Sequence, residues 1–368
     1  MKKTLIIAAL LLACMGSKAD NTPVQQAKQD LLQKTTLGGY IIGRAAFNDR
    51  DISTANTKHS DFDLRLVRGY VKGTVLDFAY MLQIEYEGYG GAKEKGPHIV
   101  DAYAQWQKYD FLRIKAGQFK RAFTFENPTN PWDISFGGYS QLVDRLAGMN
   151  DRNGEHSSGG RDAGIQVNGD LFKSHKDGHP FVSYQLGVYN GQGINHNDVN
   201  SHKDLIGNIT INPFKELSVA FFGWTGNYAK NGITVDRNRM AWGLRYAGPI
   251  TVRAEYGVSE GHKISDYTID AATGAKTLKE GVDDGADAWY VMTAVPVTKD
   301  KKLRVQGKWD VYRDQKTWGT SKSIYALGAE YWFYKNLKLQ ANYAYNNDKT
   351  TTLDSHYNTF DLQLYVRF

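Results

Sequence analysis

A period of two sorts many of this chain's basic residues onto the polar side of strand-like runs. By that parity Arg113 and Lys115 face inward, Arg304 and Lys308 flank Gln306, and Arg44, Arg65, Arg239, Arg245 and Arg253 fall on matching faces of other runs. Guanidinium groups offer a two-pronged donor to an oxyanion and lysine offers a point charge. A ladder of both can replace an anion's water shell stepwise, so the chemistry implied is the binding and passage of small anions rather than bond making. Acidic residues share these faces: Glu85, Glu87, Asp101, Glu255 and Asp310 would offset much of the positive field. The competing reading is therefore a wall cross-braced by salt bridges, with only weak ion preference.

Other residue types give no catalytic centre. His156, His196, His202, His262 and His356 lie in polar loops near Asp151, Asp198, Asp204 and Asp354, but none has the HExxH spacing of a zinc protease. There is no GxSxG elbow, and Gly90-Gly91 and Gly159-Gly160 read as turns because no helical pattern follows them. The expectation is a protein that is not an enzyme, with no metal and no cofactor.

The elements that must position the basic residues are strands. From Tyr357 to the end, Asn358, Phe360, Leu362, Leu364, Val366 and Phe368 alternate with Tyr357, Thr359, Asp361, Gln363, Tyr365 and Arg367. One face is apolar and the other polar over about ten residues, the length of a tilted transmembrane strand with lipid on one side and water on the other. Similar runs recur from residue 36 onward, about sixteen in all. The gaps between them alternate: long and polar after odd strands, as at Lys120–Gly160 and Glu260–Asp284, and short after even ones, as at Gly248-Pro249 and Tyr334-Lys335. An up-and-down barrel with two unlike rims has this parity, whereas a soluble sandwich has no reason for it. One strand breaks the rule. Leu64 and Leu66 share parity with Arg68 and Lys72, which calls for a bulge near Val67.

Composition agrees with this reading. The chain has 23 Tyr and 37 Gly but 8 Pro in 368 residues, and a mean hydropathy of −0.51, which excludes a bundle of apolar helices but not a barrel. Residues 1–19 read as a signal peptide: Lys2 and Lys3, an apolar stretch from Leu5 to Ala13, and Ser17-Lys18-Ala19 as the cleavage site. The rival reading places an acylated lipoprotein cysteine at Cys14, the only cysteine of the chain. The formal charge of +6 falls to +3 without Lys2, Lys3 and Lys18, too little to argue for nucleic acid. Residues 20–35 are expected to form a periplasmic arm or short helix, and residues 36–368 the transmembrane antiparallel β-barrel, an all-β fold.

The run from Leu112 to Glu126, LRIKAGQFKRAFTFE, resembles the signature of the phosphate-selective porin O/P family, as do Gly160-Arg161-Asp162-Ala163-Gly164 and Gly187-Val188-Tyr189-Asn190-Gly191 downstream. Val100-Asp101-Ala102-Tyr103 fits as well. The resemblance implies a sixteen-stranded outer-membrane porin of a Gram-negative cell, a homotrimer in that family's pattern, whose third external loop (about residues 120–160) folds inward to narrow a water-filled channel. It implies passive diffusion of small anions, phosphate or polyphosphate among them, past Lys120 and Arg68, with Arg121 beside them in the same block. It also implies a surround of outer-membrane lipid and lipopolysaccharide, and recognition of Phe368 by the barrel-assembly machinery. Arg121-Ala122 stands where the family usually has a residue followed by Pro, and Val67 where a second Arg is common, and both departures fall in the pattern that carries phosphate selectivity. The alternatives are a general, weakly selective porin and a closed barrel that binds surfaces through its loops.

Overall fold

The computed structural model describes residues 21–50, 59–86, 96–351 and 354–368. The signal-peptide and Cys14 readings, Glu87 and the Gly90-Gly91 turn lie outside them. The chain runs through β1 (Thr36–Asn48), β2 (His59–Val75), β3 (Phe78–Tyr86), β4 (His98–Tyr109), β5 (Leu112–Lys120), β6 (Arg161–Lys173), β7 (Pro180–Tyr189), β8 (Asp204–Phe214) and β9 (Leu217–Thr225). After the short β10 (Asn227–Lys230) and β11 (Ile233–Asp236) come β12 (Asn238–Ala247) and β13 (Thr251–Glu260). The short β14 (Tyr267–Ile269) and β15 (Lys276–Leu278) precede β16 (Ala286–Pro296), β17 (Leu303–Asp314), β18 (Ser321–Tyr334), β19 (Leu337–Asp348) and β20 (His356–Arg367). The two short pairs form separate two-stranded hairpins in the long loops, and the other strands close into an antiparallel barrel in sequence order.

The barrel closes between β1 and β20, where Tyr40 faces Arg367 and Phe47 faces Phe360. Closure leaves no edge strand with unpaired backbone groups, the condition for standing in hydrocarbon. Gly39 and Phe368 exchange two backbone hydrogen bonds of 3.0 Å at this seam. A Cβ on Gly39 would come within 2.8 Å of the Phe368 ring and 2.6 Å of the Arg68 carbonyl, so the seam needs a residue without one.

Alternation along β20 holds as read from the sequence. Phe360, Leu362, Leu364, Val366 and Phe368 are exposed on the outside, while Tyr357, Gln363 and Tyr365 are buried on the inside. The same division separates Phe78, Leu82 and Ile84 from Gln83 and Glu85 on β3. The bulge in β2 is placed differently from the expectation. The β1–β2 register slips between Ile42–Leu66 and Gly43–Leu64, so Arg65 is the extra residue, not Val67. The physical reason is Leu66, which the slip turns inward into an apolar cluster with Tyr40, Ile42, Trp132 and Tyr365.

The apolar core lies inside the barrel. Phe119, Phe123, Leu142, Val143 and Leu146 pack against Phe222, Trp224, Ala241, Ala288 and Tyr290, so the segment between β5 and β6 fills part of the lumen. Within it Gln141–Leu146 is a short helix with Ser140 as N-cap, whose Oγ accepts the Val143 N–H at 3.4 Å. A second helix, Asn21–Lys34, occupies the predicted arm. Its Asp30 accepts the Leu76 N–H at 2.9 Å and pairs with Lys34 at 2.8 Å, fixing the helix to the β2–β3 turn. Among the described residues no helix is long and apolar enough to cross a membrane; strands do the crossing here.

Candidate pore constriction

The inward loop is held at its neck, along its length and at its tip. At the neck the Arg121 N–H donates to the Gly160 carbonyl at 3.0 Å, and Asn127 Nδ2 donates to the carbonyls of Arg121 and Gly160, each at 3.1 Å. Gly160 sits at φ +70°, and a Cβ there would lie 1.9 Å from Asn127 Oδ1, so both the backbone and the clasp require glycine. The Arg161-Asp162 pair extends the clasp to the wall. Arg161 takes both oxygens of Asp101 at 3.0 Å, and Asp162 accepts from Arg121 at 2.9 Å.

Further along, Glu255 of β13 accepts the backbone N–H groups of Phe125 at 2.6 Å and Glu126 at 3.1 Å. Trp132 is buried edge-on between Tyr40 and Tyr365, with centroids at 6.0 and 5.8 Å. Asp310 of β17 accepts the Gln141 N–H, and Gln141 Nε2 donates to the carbonyls of Asp310 and Lys322. These contacts reach β1, β13, β17, β18 and β20, so the loop crosses the lumen from wall to wall.

Several of the expected anion-binding residues turn out to be parts of this anchor. Arg121 is fully buried between Glu155 and Asp162, at 3.0 and 2.9 Å, beneath the Trp224 ring. Burial disfavours its charge, but Glu155 and Asp162 prevail and raise its pKa. Arg239 is likewise sealed, donating to Asp151 at 2.7 and 2.8 Å and to the Leu146 carbonyl at 2.7 Å. Burial pushes the Asp151 carboxyl up, but the adjacent Arg239 guanidinium outweighs it and holds the pKa at about 2. Neither arginine faces water, which corrects the parity expectation for Arg239 and the motif expectation for Arg121. The reason is alike in both cases: the folded loop brings a carboxylate to each, Glu155 to Arg121 and Asp151 to Arg239.

The remaining candidates divide by partner. Arg68 is buried against Glu85, Arg44 pairs with Asp63, Arg113 with Asp170 at 2.7 Å, Arg253 with Glu126 at 3.5 Å and Lys308 with Asp310 at 3.0 Å. Lys120 Nζ lies 3.3 Å from both Asn127 Oδ1 and Tyr139 Oη. Lys115, Arg65, Arg245 and Arg304 differ: among the described residues none has a carboxylate within 4.0 Å. Lys115 lies over the Tyr103 ring, Arg65 donates to Gln363 at 3.2 Å, Arg245 lies over Phe125, and Arg304 donates to Thr251 at 2.9 Å. Sequence reasoning missed Arg152, Arg237 and Asn127. Arg237 pairs with Glu155 and Asp204, and Arg152 donates to the carbonyls of Gly261 and Asp284. All three lie in loops, where a period of two carries no information.

Among the described residues no three His, Cys, Asp or Glu side chains converge as a metal site; the closest histidines, His156 and His196, stack on each other at 3.6 Å.

Comparison with known proteins matches this geometry. A search of curated proteins found no match. Among solved structures, OmpF of Salmonella typhi, in complex with daunomycin, aligns with a TM-score of 0.62 at 14% identity, covering 91% of this chain and 97% of the other. The outer membrane channel DcaP of Acinetobacter baumannii aligns at 0.60 and 14%, with the same coverages. OmpT of Vibrio cholerae in its trimer form aligns at 0.58 and 13%, covering 91% and 99%. At such identities these likenesses establish the barrel fold. The family model described as phosphate-selective porin O and P matches residues 43–219, the span that carries the neck of the loop and the Arg161–Asp101 clasp. Residues 43–219 thus match the phosphate-selective porin O and P family, and the closed barrel that completes them is the fold of the outer-membrane porins aligned above.

Proposed function

We propose that this porin passes small anions in preference to cations, as a general pore and not through a dehydrating phosphate cage. The observation that carries this reading is an imbalance in pairing. Among the described residues Lys115, Arg65, Arg245 and Arg304 stand on the inner wall without a carboxylate within 4.0 Å, while the inward Glu85, Asp101 and Asp310 are each matched to a cation and Glu255 is held by loop N–H groups. Asp361 is the counterweight near Arg65, held by Asn342 and Gln363 at 3.0 and 2.6 Å. The four cations stand on β5, β2, β12 and β17, spread round the wall. They therefore act as a field that concentrates anions and excludes cations, and such a field is screened over about 8–10 Å at physiological salt.

The test is the reversal potential of the reconstituted protein in a potassium chloride gradient. The expected result is a shift toward the chloride potential that shrinks as total salt approaches molar concentrations. A cation-selective reversal potential would overturn the reading. Phosphate titration of the chloride current separates a general pore, which shows no block at low phosphate, from a binding site, which does. A trimer, as in the trimer form of Vibrio cholerae OmpT, is part of the proposal and is read by crosslinking in membranes.

A further inference from the structure

A cavity of about 250 Å³ lies inside the barrel, between loop residues Thr124, Phe125 and Pro128 and the inner wall of β5 to β9 and β12. Strand register builds that wall. Asn168, Gln185 and Asn208 are successive cross-strand partners on β6, β7 and β8, so their amides stand in one row. Most of the polar groups here satisfy one another. Asn208 Nδ2 donates to Gln185 Oε1 at 3.1 Å and to the Ala122 carbonyl at 3.2 Å, and Ser183 donates to Asp170, which also accepts from Arg113 at 2.7 Å.

Two donors are left over. Asn168 is 8% exposed, and its Nδ2 is buried with no hydrogen-bond partner. Arg245, on the cavity lining, has the Ser218 hydroxyl at 3.4 Å and the Phe125 ring at 5.0 Å, but among the described residues no carboxylate within 4.0 Å. An unmet buried amide N–H is a standing cost that a suitable guest would relieve. Beside these donors Phe125 and Phe222 meet edge-on at 5.3 Å and present carbon to the same space.

We infer that this cavity is a subsite for small hydroxylated monocarboxylates; the inference rests on the anion-preferring pore proposed above and names a class of its solutes. The carboxylate pairs with Arg245, a solute oxygen accepts from Asn168 Nδ2, a solute hydroxyl donates to Asp170, and the carbon skeleton lies on Phe125 and Phe222. Inorganic phosphate fits worse. It needs several uncommitted donors and no apolar face, while this cavity offers one unpaired cation, an aromatic floor and the Asp170 carboxylate. Size agrees, since at ~30 Å³ per water the space holds about eight waters, below the ~300 Å³ at which pockets for drug-sized molecules begin.

The test measures chloride current through the full-length protein in a planar bilayer, with D-glycerate, propionate or inorganic phosphate added in turn. The expected result is half-block by glycerate at a concentration about fivefold or more below that for either of the others, the difference a few oriented hydrogen bonds supply. Arg245→Gln should raise the half-blocking glycerate concentration about tenfold, as should Asn168→Ala, which leaves the charge of the pore unaltered. Saturation-transfer NMR from detergent-solubilised protein to glycerate gives a readout independent of conduction, and Asn168→Ala should weaken it. Equal block by all three probes, or block and transfer insensitive to both substitutions, would overturn the subsite. Anion-selective reversal potentials without preferential glycerate block overturn the subsite alone; preferential block in a pore with no anion preference supports the subsite and overturns the reading of selectivity.

Discussion

Arginine has two uses in this barrel, and burial separates them. Arg68 is 3% exposed and its charge is matched by Glu85 across the β2–β3 pair. Removing one member of such a pair leaves a desolvated charge, whereas removing both leaves ordinary packing. Arg68→Met should therefore cost about 3–5 kcal/mol in urea unfolding of the detergent-refolded protein, and adding Glu85→Leu should restore most of it. A double variant no more stable than the single one would show that the pair is not coupled. The unpaired arginines should behave in the opposite way. Converting Arg65, Arg245 and Arg304 together to Gln should leave unfolding nearly unchanged and move the reversal potential away from chloride, because their hydrogen-bond partners Gln363, Ser218 and Thr251 are neutral. If the reversal potential stays put, these three residues do not set the preference.

At the scale of the element, the inward loop is a strap tied by ion pairs that the sequence does not reveal. Folded Asp151 titrates at about 2 rather than its ordinary 3.8, because Arg239 stabilises the carboxylate more than burial opposes it. A depressed carboxyl contributes its stabilisation fully above pH 3.8 and loses it as the pH falls through about 2. Conductance should thus be steady from neutral pH to about 4 and then acquire larger, noisier states as this tie fails. Arg239→Met should show those states at neutral pH; a variant with wild-type conductance throughout would remove Asp151–Arg239 from the strap. The strands were readable beforehand because lipid and water impose opposite demands on neighbouring residues, which writes a period of two into the chain. That period located Glu85, Tyr357, Gln363 and Tyr365 on the inside. It also required a slip between Leu64 and Arg68, but placing the slip at Arg65 depends on Trp132, about 65 residues away in the loop, receiving Leu66. The burial of Arg239, read by parity, and of Arg121, read by motif, has the same cause. Parity gives the side on which a residue projects, but not the carboxylate that a folded loop brings to meet it.

For the whole molecule, the physical requirement is that hydrocarbon receives the outer face. Along β20 the exposed residues Phe360, Leu362, Leu364 and Val366 run from the long-loop end toward the short-turn end, so they sample successive depths. Arginine placed on a lipid-facing strand costs ~2–4 kcal/mol at the midplane and falls to ~0–1 near either interface. Arginine substituted singly at these four positions should give unfolding penalties in phospholipid vesicles that rise toward the middle of the strand and decline toward both ends. A protein layer packed on this face would give penalties that follow local packing instead, with no dependence on depth. Repeating the series in detergent micelles, where no fixed slab thickness exists, should flatten the profile while leaving the barrel's closure at Gly39 and Phe368 intact. A profile that is flat in vesicles, or equally peaked in micelles, would mean that the outer face is not defined by a bilayer. The inner wall would then lose its assignment as a lumen, because inside and outside are fixed here by one alternation.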